Sequence, residues 1–169
     1  MKTIQRTAGS LLIELLLVCA VVAIVMTLSV SHSNGIKRLT VRAEIEKMRS
    51  LFWYLQQRAV VLNKEMTLTF DVAKQTYYFD SVVEKLPHGV QFGVINGVKG
   101  PPSDPKTAVQ LPTTFEKQQV IFRPDGTISS GTVYLHMQTN SVVYALTAPV
   151  GDISFLRIYR YDIGWKLIS

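Results

Sequence analysis

The stretch LLIELLLVCAVVAIVMTLSV, residues 11–30, holds a single charged side chain, Glu14, and from residue 15 to residue 36 there is none. At 1.5 Å per residue, about 20 apolar residues cross the roughly 30 Å hydrocarbon core of a bilayer, so one transmembrane helix fits here. A cleaved secretory signal starts with the same kind of short basic segment, supplied here by Lys2 and Arg6. Its apolar region, however, runs about 7–15 residues before small residues at the cut, and Ser29-Val30-Ser31 offers such a site. The length of the run favours a retained span, with cleavage after it as the alternative.

The same run resolves an oddity of composition. The chain has 169 residues, 47% of them hydrophobic, and 18 Lys and Arg against 12 Asp and Glu, a net charge of +6. Its mean hydropathy is nevertheless positive, +0.19. A basic soluble domain averages more polar, so the apolar residues must be unevenly spread. The length is that of one domain with a real core. The apolar content argues against disorder, and the single cysteine, Cys19, leaves no intrachain disulfide to form.

Glu14 sharpens the reading. A carboxylate within a span costs of the order of a few kcal/mol and points to function unless it lies at the interface or is protonated. Its context is Gly9-Ser10-Leu11-Leu12-Ile13-Glu14-Leu15 behind the basic leader MKTIQRTAG. A leader ending in Gly, an acidic residue at the fifth position after it and an apolar helix beyond resemble the class III signal of type IV pilins and type II secretion pseudopilins. The resemblance implies that a prepilin peptidase cuts between Gly9 and Ser10 on the cytoplasmic face and methylates the new amine of Ser10. It also implies that Glu14 acts in assembly. In a bundle, a carboxylate can neutralise a neighbour's terminal ammonium, so that neither charge is left bare in lipid. Ser10 and Leu11 depart from the family's common Phe or Met and Thr. Basic residues on the two sides of the span (Lys2 and Arg6 before; Lys37, Arg38, Arg42, Lys47 and Arg49 after) favour the opposite orientation by themselves. An outward C-terminal domain therefore rests on the resemblance.

Beyond the polar patch Ser31-His32-Ser33-Asn34-Gly35, where Gly35 is a candidate breaker, Val41, Ile45, Met48, Phe52, Leu55, Ala59 and Leu62 recur at intervals of four and three. This is the apolar stripe of an amphipathic helix, expected to pack on a sheet and to end at Asn63. The remainder reads as strands with turn punctuation. Residues 66–70 and 76–79 form a hairpin, 90–95 a third strand, and 97–112 a surface loop. Residues 120–122 lead into the Pro124-Asp125-Gly126 turn, and 131–137, 141–147 and 153–161 complete an antiparallel sheet. The runs Leu86-Pro87-His88-Gly89-Val90-Gln91-Phe92 and Phe122-Arg123-Pro124-Asp125-Gly126-Thr127, continuing to Val133, resemble minor pseudopilins of the GspH/FimT type. In those proteins a Pro-Asp-Gly hairpin follows the helix in the same order.

The expected architecture is α+β and pilin-like: one long N-terminal helix, transmembrane in its first half, packed on an antiparallel β-rich domain. Residues 1–9 are the leader, 10–35 the transmembrane and assembly helix, and 36–169 the globular domain, with an amphipathic helix over 36–63 and β structure over 65–169. No catalytic constellation, phosphate loop or dinucleotide fingerprint stands out, and His32, His88 and His136 lack metal-ligand spacing. The expectation is a protein that is not an enzyme and needs no cofactor, metal or small-molecule substrate. Near the C-terminus Arg157, Arg160 and Lys166 interleave with Tyr159, Tyr161 and Trp165, a pattern that nucleic-acid surfaces share, although strand alternation puts Arg157 and Arg160 on opposite faces. An edge strand charged against aggregation explains the same residues.

The resemblance implies a minor pseudopilin or pilin of a type II secretion pseudopilus or type IV pilus, assembling near the tip and serving protein secretion. Its expected place is the inner membrane as a single-pass protein, with the C-terminal domain in the periplasm or outside. Its expected partners are other pilins, the prepilin peptidase and the membrane, with a secreted protein or DNA as a further class. A DNA-binding minor pilin for uptake and an ordinary secreted β-rich protein are the alternatives.

Overall fold

The computed structural model describes residues 5–100, 106–138, 142–149 and 155–168; within the helix, side chains are described for 12–25 and from 39 onward. The expectations for Lys2, for the 101–105 part of the loop and for the turn residues 150–152 lie outside the described residues. So do the side chains of Arg6, Gly9, Ser10, His32, Lys37 and Arg38. The chain divides into two compact units, Met1–Ile36 and Lys37–Ser169.

Helix α1 (Gln5–Leu62) contributes to both units and stays helical through the Ser31–Gly35 patch, so Gly35 is not a breaker. One glycine costs about 1 kcal/mol in a helix interior, which the long turns on either side absorb. Asn63 does end α1. Its φ is +46°; its N–H donates to the Val60 carbonyl and the Lys64 N–H to the Ala59 carbonyl. That pair of bonds is a Schellman cap with Asn in the left-handed position.

In the second unit the predicted stripe is buried from Val41 through Ala59, whereas Leu62 at its end is exposed. It lies in one core with residues of two antiparallel sheets rather than of a single one. The first sheet runs β3-β2-β1-β5, built from β1 (Met66–Asp71), β2 (Thr76–Phe79), β3 (Val82–Lys85) and β5 (Gln119–Phe122). The second runs β4-β6-β7-β8-β9, from β4 (Val90–Phe92), β6 (Gly131–Met137), β7 (Val143–Ala148), β8 (Arg157–Tyr161) and β9 (Trp165–Leu167). Phe52 sits at the centre: its ring meets Phe122 edge-on at 5.5 Å, Phe115 at 6.1 Å and Phe70 at 6.5 Å. Phe70 in turn meets Phe92 of the second sheet at 5.5 Å. Burying each such side chain is worth about 1.5–3 kcal/mol, and edge-on ring pairs add to it.

Polar contacts fix the helix against the first sheet. The Tyr77 hydroxyl donates to the buried Glu44 at 2.9 Å, and burial next to that carboxylate holds the phenol well above its ordinary pKa. Lys47 bridges to Glu84 on β3 at 2.9 Å and Arg58 to Asp80 at 2.7 Å. The hydrogen bond from Lys47 to Glu84 raises the ammonium's pKa; exposed pairs of this kind contribute about 0–1 kcal/mol each. The Pro-Asp-Gly turn also meets the helix. Gly126 takes φ +83°, Asp125 accepts from the Thr127 N–H at 2.9 Å, and the Gln56 amide donates to the Gly126 carbonyl at 2.6 Å.

Several segments differ from expectation. The strand expected over 90–95 stops at Phe92, because Gly93 turns the chain with φ +130°. Within the segment expected over 153–161, Phe155 and Leu156 are not strand, and β8 begins at Arg157. The loop expected to lie on the surface from 97 to 112 instead buries Val98 and Gly100 against the outer face of the second sheet.

Candidate functional site

From residue 12 to residue 25 every side chain of α1 is exposed. Ten of them are large and apolar, from Leu12 at 64% through Ile13 and Leu15 at 68% to Val25 at 56%. Successive helical positions are about 100° apart, so this surface is apolar on every side. Helices of that kind are buried in lipid or among other apolar elements, and exposed patches larger than a few hundred Å² mark interaction sites. Glu14 stands exposed in this run as its one charge, and Cys19 is exposed as a free thiol. Among the described residues no helix is long and apolar enough to cross a membrane. The described side chains of the run end at 25, short of the about 20 positions a bilayer core needs. Gly9 and Ser10 lie within the helical backbone of α1.

The basic residues near the C-terminus come together only in part. Arg160 lies opposite Lys166 across the β8–β9 pair, on the face that carries the buried Ile158. Arg157 is on the other face with Tyr159 and Tyr161, as strand alternation requires. Like charges directly opposite on a sheet repel, and Asp162, 3.4 Å from Arg160, offsets this. The aromatics are engaged: Tyr159, Tyr161 and Trp165 pack against the second, smaller apolar cluster, and the Trp165 indole N–H donates to the Lys99 and Gly100 carbonyls at 2.9 and 2.6 Å. Arg157, Arg160 and Lys166 therefore do not form one basic surface with stacking platforms. Among the described residues no group of three His, Cys, Asp or Glu side chains could hold a metal ion.

The arrangement of helix and paired sheets has a counterpart among solved structures. The chain is similar to the minor pseudopilin EpsH from the Type 2 Secretion System of Vibrio cholerae, with a TM-score of 0.50, over 70% of this chain and 94% of that one. The fold is pseudopilin-like. Sequence identity over the match is 12%, a level at which folds persist while surfaces diverge. No family model and no curated protein matches the chain.

Two features of this pseudopilin-like domain were not read from the sequence. One is an open groove of about 710 Å³ lined by Arg49, Ser50, Trp53, Gln56, Phe155 and Leu156. Trp53 and Phe155 on its walls are each 63% exposed. The signal was present in Trp53, a large apolar residue off the buried stripe. The other is the outer face of the second sheet, where Tyr134 and His136 lie beneath the loop that follows β4. Burial raises the Tyr134 phenol to about 12 and lowers the His136 imidazole, with Thr132 and the Gly93 backbone offsetting part of each shift.

Proposed function

We propose that this chain is a minor pseudopilin or pilin subunit that assembles through its hydrophobic N-terminal helix, near the tip of a type II secretion pseudopilus, in the service of protein secretion. The observation that carries the reading is the run of exposed apolar side chains from Leu12 to Val25, interrupted only by Glu14, in a chain whose globular part has a pseudopilin-like fold. Nothing in that run calls for bond chemistry. What it can do is leave water, first into a bilayer and then into a bundle of similar helices, with about 1.5–3 kcal/mol per large side chain buried.

In this reading residues 1–9 are removed by a prepilin peptidase after Gly9, and the new terminus at Ser10 is methylated. Residues 10–35 hold the subunit in the inner membrane as a single pass, with 36–169 outside. Glu14 pairs with the terminal ammonium of an adjoining subunit, so that each charge is compensated where solvent is absent. The second half of α1 lies on the subunit's own sheets, leaving the first half for other subunits. The protein needs no cofactor and carries out no catalysis.

The test is incorporation of the full-length Glu14→Ala variant into sheared fibres or membrane-extracted assemblies. The expected result is normal membrane residence and leader removal, with loss of incorporation. Incorporation at the unsubstituted level would remove the role of Glu14.

A further inference from the structure

Among the described residues Glu44 is the one charged side chain that is buried, at 5% exposure, and it adjoins the apolar stripe of α1. It meets Tyr77 of β2, itself fully buried, whose hydroxyl donates to the carboxylate at 2.9 Å. The two residues stand 33 positions apart, so their contact reports how the helix is seated on the first sheet. Lys47, one turn further on, lies 5.9 Å from the centre of the Tyr77 ring and bridges to Glu84. Burying an ionised carboxylate costs several kcal/mol, and a hydrogen bond to it returns about 1.5–3 kcal/mol. An apolar pair of similar size would pack here without that cost, so stability alone does not explain the pair.

The apolar stripe by itself does not fix where α1 lies along its own axis. Val41, Ile45, Met48, Phe52, Leu55, Ala59 and Leu62 repeat by four and three. A slide of seven residues, about 10 Å at 1.5 Å per residue, therefore lays Met48 where Val41 was and Phe52 where Ile45 was. A slide of one turn sets apolar on apolar almost as well. The polar pair removes this freedom. After a one-turn slide Tyr77 would face Lys47 or Met48, and after a seven-residue slide Leu51, none of which offers an oxygen acceptor. A slide in the opposite sense brings Val41 or Thr40 to the phenol, but it carries Glu44 away from its donor and strands the carboxylate. The bridges Lys47–Glu84 and Arg58–Asp80 agree with the observed position, but exposed pairs contribute about 0–1 kcal/mol each and select it weakly.

We infer that the hydrogen bond between Glu44 and Tyr77 is a register lock: it selects one axial position of α1 on the first sheet, at a cost in stability that an apolar pair would not incur. Fixing a register that apolar residues leave open is the best-attested use of a buried polar group between packed elements. The inference concerns the second unit alone and is independent of the assembly role proposed above.

Fluorine NMR of the full chain in detergent micelles, labelled with fluorotryptophan, tests it together with denaturant titration. The chain has two tryptophans. Trp53 on α1 reports the helix, and Trp165, packed on the smaller apolar cluster, serves as the reference. The unsubstituted protein gives one signal for each. In Tyr77→Phe the carboxylate loses its donor, and the folding equilibrium constant falls about tenfold to a hundredfold. Adding Glu44→Leu to Tyr77→Phe returns that constant to within about tenfold of the unsubstituted value, or above it. In this double variant the Trp53 signal splits into two or more while the Trp165 signal stays single. Glu44→Gln keeps an acceptor oxygen and keeps the single Trp53 signal. An unsplit Trp53 signal in the folded double variant, or a split one in Glu44→Gln, would overturn the inference. So would a double variant that fails to fold, because the pair would then supply stability rather than register.

Discussion

Helix α1 contains two stretches whose apolar residues end in opposite conditions. From Val41 to Ala59 the residues spaced by four and three line one face and are buried in the domain's core, while Trp53 and Tyr54, off that stripe, are exposed. From Leu12 to Val25 the apolar residues occupy every face, and all are exposed. The difference lies in periodicity. Spacing by four and three gives a stripe that one sheet layer can cover, whereas unbroken apolar sequence gives a cylinder that a folded domain cannot cover from one side. The first pattern specifies a fold and the second specifies an environment.

Substitutions on the two stretches should therefore separate cleanly. Phe52→Ala is expected to cost about 3–5 kcal/mol of stability, since it empties the centre of the aromatic cluster. Leu16→Ala, on the exposed stretch, should leave the unfolding midpoint of the domain unchanged; denaturant titration of the full chain in micelles reads both. A comparable loss in the two variants would break the distinction.

A smaller effect sharpens it from the sheet side. A Cβ added at Gly131 would lie 2.6 Å from Cγ of Phe115, whose ring meets Phe52. Gly131→Ala should cost about 1–3 kcal/mol through overpacking, in the same titration, without altering membrane residence.

The smallest expected effect concerns pH. His136 has a lowered pKa in the folded protein because burial penalises its charged form. Below the ordinary value of 6.5 the unfolded chain binds more protons than the folded one. Stability from this group is thus complete above pH 6.5 and declines as the pH falls below it. His136→Gln should flatten that part of the stability profile, while variants in residues 12–25 should leave it unchanged. A profile unaffected by His136→Gln would remove this assignment.

Much of the fold was legible because its signals are local. The stripe from Val41 to Ala59, the Asn63 terminus, the 66–79 hairpin and the Pro124-Asp125-Gly126 turn each follow from a few neighbouring residues. What was missed is non-local or marginal. Val82–Lys85 forms an exposed edge strand whose side chains lack the alternation that a half-buried strand shows. Trp165–Leu167 is three residues long. The division into two sheets depends on β1 pairing with β5 and β4 with β6, across stretches that carry no pairing code of their own. Of the candidate site, the apolar run and Glu14 stand in the sequence itself. The Trp165 indole hydrogen bond joins residues 66 positions apart through a backbone carbonyl, and no pattern of residue types announces it.

The central claim is that the apolar run is kept, and only the short basic leader removed, when the protein matures. The most direct measurement is the intact mass of the chain recovered from membranes of a host that holds a prepilin peptidase. The account predicts a chain that begins at Ser10 and retains residues 11–30. A chain beginning near Asn34, with the run cut away, would contradict it.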